Sequence, residues 1–196
     1  PTHFRLLPPL YTLTWRINLW WVDLRTAYEI YIESIMTQDI IQRIRAAAII
    51  LHEDHILLNR GERDNWWTLP GGGAQPGEPA RQALVRELNE EMGFAFSVIR
   101  TLFVIENFFT LEGKQYHQVE FQFLVRLPVD SPFLDLSQTY HGKEAFWADA
   151  NEEIPLIFQW FPLKQLSTLT YPIKPQFLSY KLNPIPSQIE YMVWWD

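Results

Sequence analysis

The stretch LPGGGAQPGEPARQALVRELNEEMGF, residues 69 to 94, sets a glycine run just ahead of a segment carrying Glu87, Glu90 and Glu91. Helix punctuation stands at both ends of that segment. Pro79 suits the first helical position, where no amide hydrogen bond is lost, and Gly93 suits the left-handed position just past a helix end. The roughly fourteen residues between them are close to the average helix length. Projected at about 100° per residue from Glu87, Glu91 lies near +40° and Glu90 near −60°. Ala80, Ala83 and Leu84 fall at roughly +20°, −40° and +60° on the same projection. The three carboxylates therefore continue the apolar stripe, whereas an ordinary charge run occupies the opposite, solvated face. Carboxylates on an inward arc repel one another, and one or more protonates unless a cation is present. Oxygen ligands without His or Cys suit a hard ion, Mg2+ or Mn2+. The glycines let the backbone turn sharply and approach a ligand closely, and a turn before a helix N-terminus offers amide donors to an anion. Together the two halves point to metal-assisted chemistry on phosphates.

The rest of the chain narrows the class. Its 196 residues favour one domain with an appendage, and 47% hydrophobic with 20% charged residues describes a globular chain able to bury a core. A net charge of −7 argues against general nucleic-acid binding, which depends on Lys and Arg neutralising phosphates. With no cysteine, disulfides, thiolate nucleophiles and iron–sulfur clusters are excluded. There is no signal-peptide pattern and no apolar run near the ~18 residues of a membrane span, so the expected location is cytoplasmic, with no membrane partner.

Residues 1–35 contain Trp15, Trp20 and Trp21 and read as an N-terminal extension, non-native or loosely ordered. Apolar residues at 20, 24, 27, 28, 31 and 35 also fit an amphipathic helix that packs or supports a homodimer. Met36 reads as the start of the main domain, 36–196. RIRAAAIILHEDHILLNRG has the pattern of two strands around a turn at His52–Asp54, and His52 and His55 lack the spacing of a helical zinc motif. WWTLP reads as a short strand, and FAFSVIRTLFVIENFFT and YHQVEFQFLVRL as a long hairpin. Pro128–Gly142 reads as a loop, EAFWAD and IFQWF as short strands, and Leu163–Leu169 and Pro175–Leu182 as terminal helices. The pattern predicts a mixed α/β domain with a largely antiparallel or mixed sheet.

Gly72, five residues, Glu78, seven residues, and then Arg86-Glu87-Leu88-Asn89-Glu90-Glu91-Met92-Gly93-Phe94 match the signature of the Nudix hydrolases at every fixed position. WWTLPGG and FQWFPLKQL resemble that family's flanking elements, so the resemblance covers about residues 40 to 170. It implies an α/β fold of the α+β type, a mixed sheet sandwiched between helices with the signature as a loop–helix–loop. It implies hydrolysis of a nucleoside diphosphate linked to another moiety, with Mg2+ or Mn2+ as cofactor and a small nucleotide as partner. By position, Glu87, Glu90 and Glu91 are then metal ligands, and Arg86 orients a glutamate. Gly72 and Gly73 shape the loop beside the phosphates, and Glu78 fixes the loop–helix–loop.

In that family the general base lies either within the signature, where Glu90 is a candidate, or on a distant element. Outside it, Glu120 is the first candidate, sharing a strand face with Gln118 and Gln122, and it has an equally good reading as a solvent-facing strand residue. Glu144, Asp149, Glu152 and Glu153 are weaker loop candidates. Trp66, Trp67, Phe108, Phe109 and Trp147 are available for base stacking, with Trp67 and Phe108 placed first, although core packing is the commoner fate of such rings. Members acting on ADP-ribose usually carry a proline downstream of the signature, and Glu106–Glu112 has none. Isopentenyl-diphosphate isomerases share the fold but rely on a cysteine. A catalytically inactive Nudix module that binds a nucleotide or a protein is the alternative, and such modules tend to lose glutamates that are all present here.

Overall fold

Strand β1 (Ile41–His52) feeds both faces of the sheet: Ala46, Ala48 and Ile50 enter one buried cluster, and Ala47 and Ile49 enter the other. The computed structural model describes residues 40–93, 96–145 and 153–195. The expectations for residues 1–35, Met36, Phe94, Trp147, Asp149 and Glu152 lie outside them. All the elements below belong to one unit, Ile40–Asp196.

Strand β2 (His55–Gly61) returns antiparallel through Glu53 and Asp54, whose φ angles are 45° and 60°. Two successive positive φ angles give the tight turn whose twist matches the flanking strands. The same device, Glu112 at 51° and Gly113 at 75°, joins β4 (Ser97–Leu111) to β5 (Lys114–Arg126) as the expected long hairpin. β5 also runs parallel to β1, from Ile41 opposite Tyr116 to Ile50 opposite Val125. Strands β6 (Thr139–Ala145), β7 (Glu153–Pro162) and β8 (Glu190–Trp195) complete the order β6-β7-β2-β1-β5-β4-β8, with β3 (Gly71–Gly73) added to β1. The sheet is mixed, as expected.

Helix α1 (Ala80–Met92) starts one residue later than the proline rule suggests, because Pro79 takes the cap position at ψ 139°. It stops as expected: Gly93, at φ 72°, donates its N–H to Asn89 O at 3.0 Å. Its Ala83, Leu84 and Leu88 are fully buried against Ala46, Phe123 and Phe158 on one sheet face. Each leucine contributes about 1.5–3 kcal/mol of hydrophobic stabilisation. Leu166, Phe177, Leu178 and Leu182 cover the other face.

Several elements differ from the sequence pattern. Trp66–Pro70 is not a strand; it makes only isolated bridges, Thr68 to Asn59 and Trp67 to Ile173, and the pairing strand is the glycine run itself. The loop after Pro128 contains a turn of 3-10 helix (Pro132–Leu134), and β6 already begins at Thr139. The terminal helices are shorter, a 3-10 segment (Leu163–Thr168) and four α-helical residues (Leu178–Lys181), in a stretch interrupted by Pro172, Pro175 and Pro184. β8 is an additional strand, parallel to β4.

Candidate active site

Two glycines of the run are required by close approach. Gly71 sits at φ 127°, and a Cβ there would lie 2.2 Å from Ala46 O. A Cβ on Gly72 would lie 2.3 Å from the Glu87 carboxyl carbon. Gly73 is sterically free, and its role is its carbonyl, which accepts from Arg86 Nη2 at 2.9 Å. The strand β3 thus lies directly against α1, and the Gly71 N–H donates to Glu91 Oε2 at 3.2 Å.

Arg86 ties the loop to the helix. Its Nε and Nη2 grip Glu78 in a two-point contact at 3.0 and 2.8 Å, and its Nη1 donates to Glu87 Oε1 at 2.8 Å. Glu78 in turn accepts from the Gln75 N–H at 2.9 Å. Hydrogen bonds from Arg86 and Gln75 hold the Glu78 carboxyl below the usual range, and the Glu78 contact holds the Arg86 guanidinium more firmly protonated.

Glu87 and Glu91 are buried, with 9% and 5% of their surface exposed. Glu90 departs from the expected inward arc: its side chain is 55% exposed and touches Arg86 Nη1 at 3.4 Å. At −60° it stands on the rim of the stripe, where a long side chain reaches water. Burial pushes the Glu91 carboxyl up to about 8, assisted by the charges of Glu144 and Glu87. Burial also raises Glu87, opposed by Arg86, and raises Glu144 on β6. Glu144, a lesser candidate by sequence, thus joins the carboxylate group, whereas Glu153 pairs with Lys143 at the surface at 2.6 Å. The donors are all oxygen, which suits a hard divalent ion. As placed, no three His, Cys, Asp or Glu side chains among the described residues converge closely enough to share one ion. Glu87 Oε1 is turned to Arg86, and Glu90 must swing inward to join.

Glu120 is not solvent-facing. It is 3% exposed, accepts from Gln118 Nε2 at 2.8 Å and Gln122 Nε2 at 2.6 Å, and pairs with Arg45 Nη1 at 3.1 Å. Arg45 also donates through Nη2 to Leu69 O at 2.7 Å and Gly71 O at 3.1 Å, which fixes the segment entering the glycine run. Arg45 and Glu120 line a cleft of about 130 Å³ with Arg43, Trp66, Asn107, Phe109, Gln118 and Lys174 among its walls.

Two aromatic expectations shift by one residue each. Trp67 is buried in the core against Phe161, at 4.7 Å between ring centres, while Trp66 lines the cleft with Lys174 Nζ 5.3 Å from its ring. Phe108 stacks between His117 and Trp195, at 4.3 and 4.2 Å, and Phe109 lines the cleft. Adjacent residues of β4 point to opposite faces, which separates Phe108 from Phe109. Sequence reasoning missed Arg45, Arg43 and Asn107 as well. The alternation of Arg43 and Arg45 ahead of three alanines was the signal for two cations on one sheet face.

The NUDIX domain profile matches residues 42–180, well over half of the chain. The uncharacterized Nudix hydrolase YvcI of Bacillus subtilis (strain 168) is 28% identical over 148 residues, covering 69% of this chain and 91% of that protein. The RNA pyrophosphohydrolase of Campylobacter jejuni subsp. doylei is 40% identical over 57 residues, 26% of this chain and 36% of the relative. The chain spans well under half the length of three curated relatives it matches, 24%, 36% and 40%. Among solved structures, an ADP-ribose pyrophosphatase from Streptococcus suis is similar at a TM-score of 0.48 and 19% identity, covering 77% of this chain and 98% of that one. With the profile match over residues 42–180 and the loop–helix–loop formed around Arg86, the chain belongs to the Nudix hydrolase family.

Proposed function

We propose that the chain hydrolyses a pyrophosphate bond in a nucleoside diphosphate linked to another moiety, with Mg2+ or Mn2+ held by Glu87, Glu90 and Glu91. The observation that carries this is Glu91: a buried carboxyl raised to about 8, held by the Gly71 amide beside the raised carboxyls of Glu87 and Glu144. Carboxyls so placed are short of positive charge, and strongly shifted groups in such a setting mark functional sites.

Held by these carboxylates, a divalent ion would supply charge neutralisation at the pyrophosphate and a more acidic water. The chain's own residues prepare for this. Arg86 fixes Glu87 Oε1 and the loop carrying Gly73, so the remaining oxygen of Glu87 is presented in a defined direction. The Gly71 N–H fixes Glu91 in the same way. Of the two candidate proton acceptors outside α1, Glu144 is favoured. Glu120 already accepts from two amides and pairs with Arg45, so its carboxylate is committed to holding that cation. Glu144 stands among the site carboxyls, and burial raises its carboxyl above the ordinary range, the direction that suits a proton acceptor. Glu120 instead positions Arg45.

The test is a hydrolysis screen over nucleotide-sugars, nucleoside triphosphates, dinucleoside polyphosphates and capped RNA, with Mg2+, Mn2+ or chelator. Turnover of at least one class, abolished by chelator, is expected. No turnover on any class, together with no metal binding by calorimetry, would favour the inactive binding module.

A further inference from the structure

The two edges of the sheet are built differently. β6 carries Lys143 and Glu144, and Lys143 is paired with Glu153 at 2.6 Å. Charge of this kind keeps a strand edge from pairing with another chain. β8 closes the other end of the strand order, and among the described residues it has a neighbour, β4, on one side only. Between Glu190 and Asp196 it reads Tyr-Met-Val-Trp-Trp, without a charge, a proline or a glycine. Nothing in that stretch blunts the edge.

Alternation gives the two faces of β8 different uses. Met192 and Trp194 pack toward the core that contains Phe103 and Phe177. Tyr191, Val193 and Trp195 face the other way and are 61%, 46% and 69% exposed, and Ile189, just ahead of them, is 61% exposed. The exposed rings are nevertheless held in place. Trp195 stacks on Phe108 at 4.2 Å, and Phe108 stacks on His117 at 4.3 Å. Tyr191 donates its hydroxyl to Glu106, whose other oxygen lies 3.1 Å from His117 Nε2. Much of the ordering cost of an interface is thereby met before a partner arrives, and Tyr and Trp are the residue types that dominate interface energetics.

Charge, area and symmetry select the partner. Two copies of a chain with a net charge of −7 repel unless they meet at a neutral place, and β8 is one, because Glu190 is paired with Lys181 at 2.9 Å. A single-stranded nucleic acid also stacks on rings but needs Lys or Arg beside them, and residues 185–196 contain neither. Aromatic side chains present about 150–250 Å² each, so the exposed row offers on the order of 500 Å² per copy and about 1,000 Å² in a pair, the size at which specific interfaces begin. A strand edge meets a copy of itself antiparallel about a two-fold axis, and every contact is then made twice. An axis at Met192 sets Ile189 of one copy against Trp195 of the other and Tyr191 against Val193, so all four exposed side chains gain an apolar partner. An axis at Val193 sets Glu190 against Asp196, a like-charge pair. We propose that the chain forms a homodimer by antiparallel pairing of β8 with β8 about Met192, which joins the two sheets into one. The proposal is independent of the hydrolase reading and uses none of residues 1–35.

The experiment is sedimentation velocity of the full chain from about 1 to 100 μM, the weak end of the affinities that modest interfaces reach. A monomer–dimer equilibrium is expected within that range. Val193→Lys places a cation on the paired edge and should weaken the dimer at least tenfold. Val129→Lys, at a residue 97% exposed beyond β5, should leave it within about twofold. Far-UV circular dichroism checks that both variants fold. Because the chain has no cysteine, a single introduced one reports the register. Met192→Cys should cross-link the dimer under mild oxidant, since residues opposite each other across an antiparallel pair lie about 4.5–5.5 Å apart, within disulfide reach. Ile189→Cys should not, because its two copies lie about 20 Å apart along the strands. A monomer at every concentration, a dimer that Val193→Lys leaves intact, equal weakening by Val129→Lys, or cross-linking of Ile189→Cys in place of Met192→Cys would overturn the proposal.

Discussion

The Gly71 N–H donates to Glu91 Oε2 at 3.2 Å, so the first residue of the glycine run holds the last glutamate of the helix in place. Each residue is placed by its own element. Gly71 needs a positive φ and contact with Ala46, and Glu91 needs the inward face of α1.

The two required glycines should fail differently. Gly71→Ala meets backbone at 2.2 Å and a φ of 127°, neither of which yields, so a loss of at least about 2 kcal/mol in denaturant unfolding is expected. Gly72→Ala meets only the end of the Glu87 side chain, which can rotate. Its stability should stay within about 1 kcal/mol of the parent while activity falls at least tenfold. Equal stability losses for the two would contradict the assignment.

Arg86→Lys keeps a cation but cannot reproduce the two-point grip on Glu78 together with the contacts to Glu87 and Gly73. A fall in kcat of about a hundredfold is expected, with far-UV circular dichroism unchanged. Near-parental kcat would mean that charge alone is needed.

The buried carboxyls give the metal-free protein an unusual pH response. Glu91 stands at about 8 folded against an ordinary 4.5, so between those values the folded state holds a proton that the unfolded state has released. Its contribution is fully present below pH ~4.5 and is lost as pH rises toward about 8, with a slope of at most about 1.4 kcal/mol per unit. Glu87 and Glu144 act in the same direction, and Glu78 in the opposite one. Urea titrations in chelator should show stability falling from pH 5 to 8 for the parent chain, with a flatter profile for Glu91→Gln. Identical slopes would show that Glu91 does not carry the raised value.

Glu120→Gln and Glu144→Gln separate the two proton acceptors. Glu144→Gln should lower kcat by about a hundred- to a thousandfold and flatten the acid limb of the pH–rate profile. Glu120→Gln breaks the pairing with Arg45 and should lower stability as well as activity, with the limb retained. The reverse pattern would return the role to Glu120.

What was legible in the sequence was what local pattern controls. The α1 boundaries, the inward faces of Glu87 and Glu91 and both hairpins follow from caps, 3.6-residue spacing and strand alternation. What escaped depends on partners far along the chain. The parallel pairing of β1 with β5 sets Arg45 against Glu120, and nothing local announces it. β3 consists of glycines and has no side chains to alternate. Trp66 and Trp67 look alike until the fold assigns one to the cleft and the other to the core.

The most direct measurement compares the parent chain with Glu91→Gln for Mn2+ binding and turnover on whichever nucleotide the screen identifies. Gln keeps the size and helix propensity of Glu and removes the buried charge, so the fold should survive. Turnover should fall about a thousandfold, some 4 kcal/mol of transition-state stabilisation. Mn2+ should raise the Tm of the parent and leave that of the variant nearly unmoved. A variant that kept the parent's rate and its Mn2+-dependent Tm shift would show that Glu91 does not hold the ion and that the chemistry runs elsewhere.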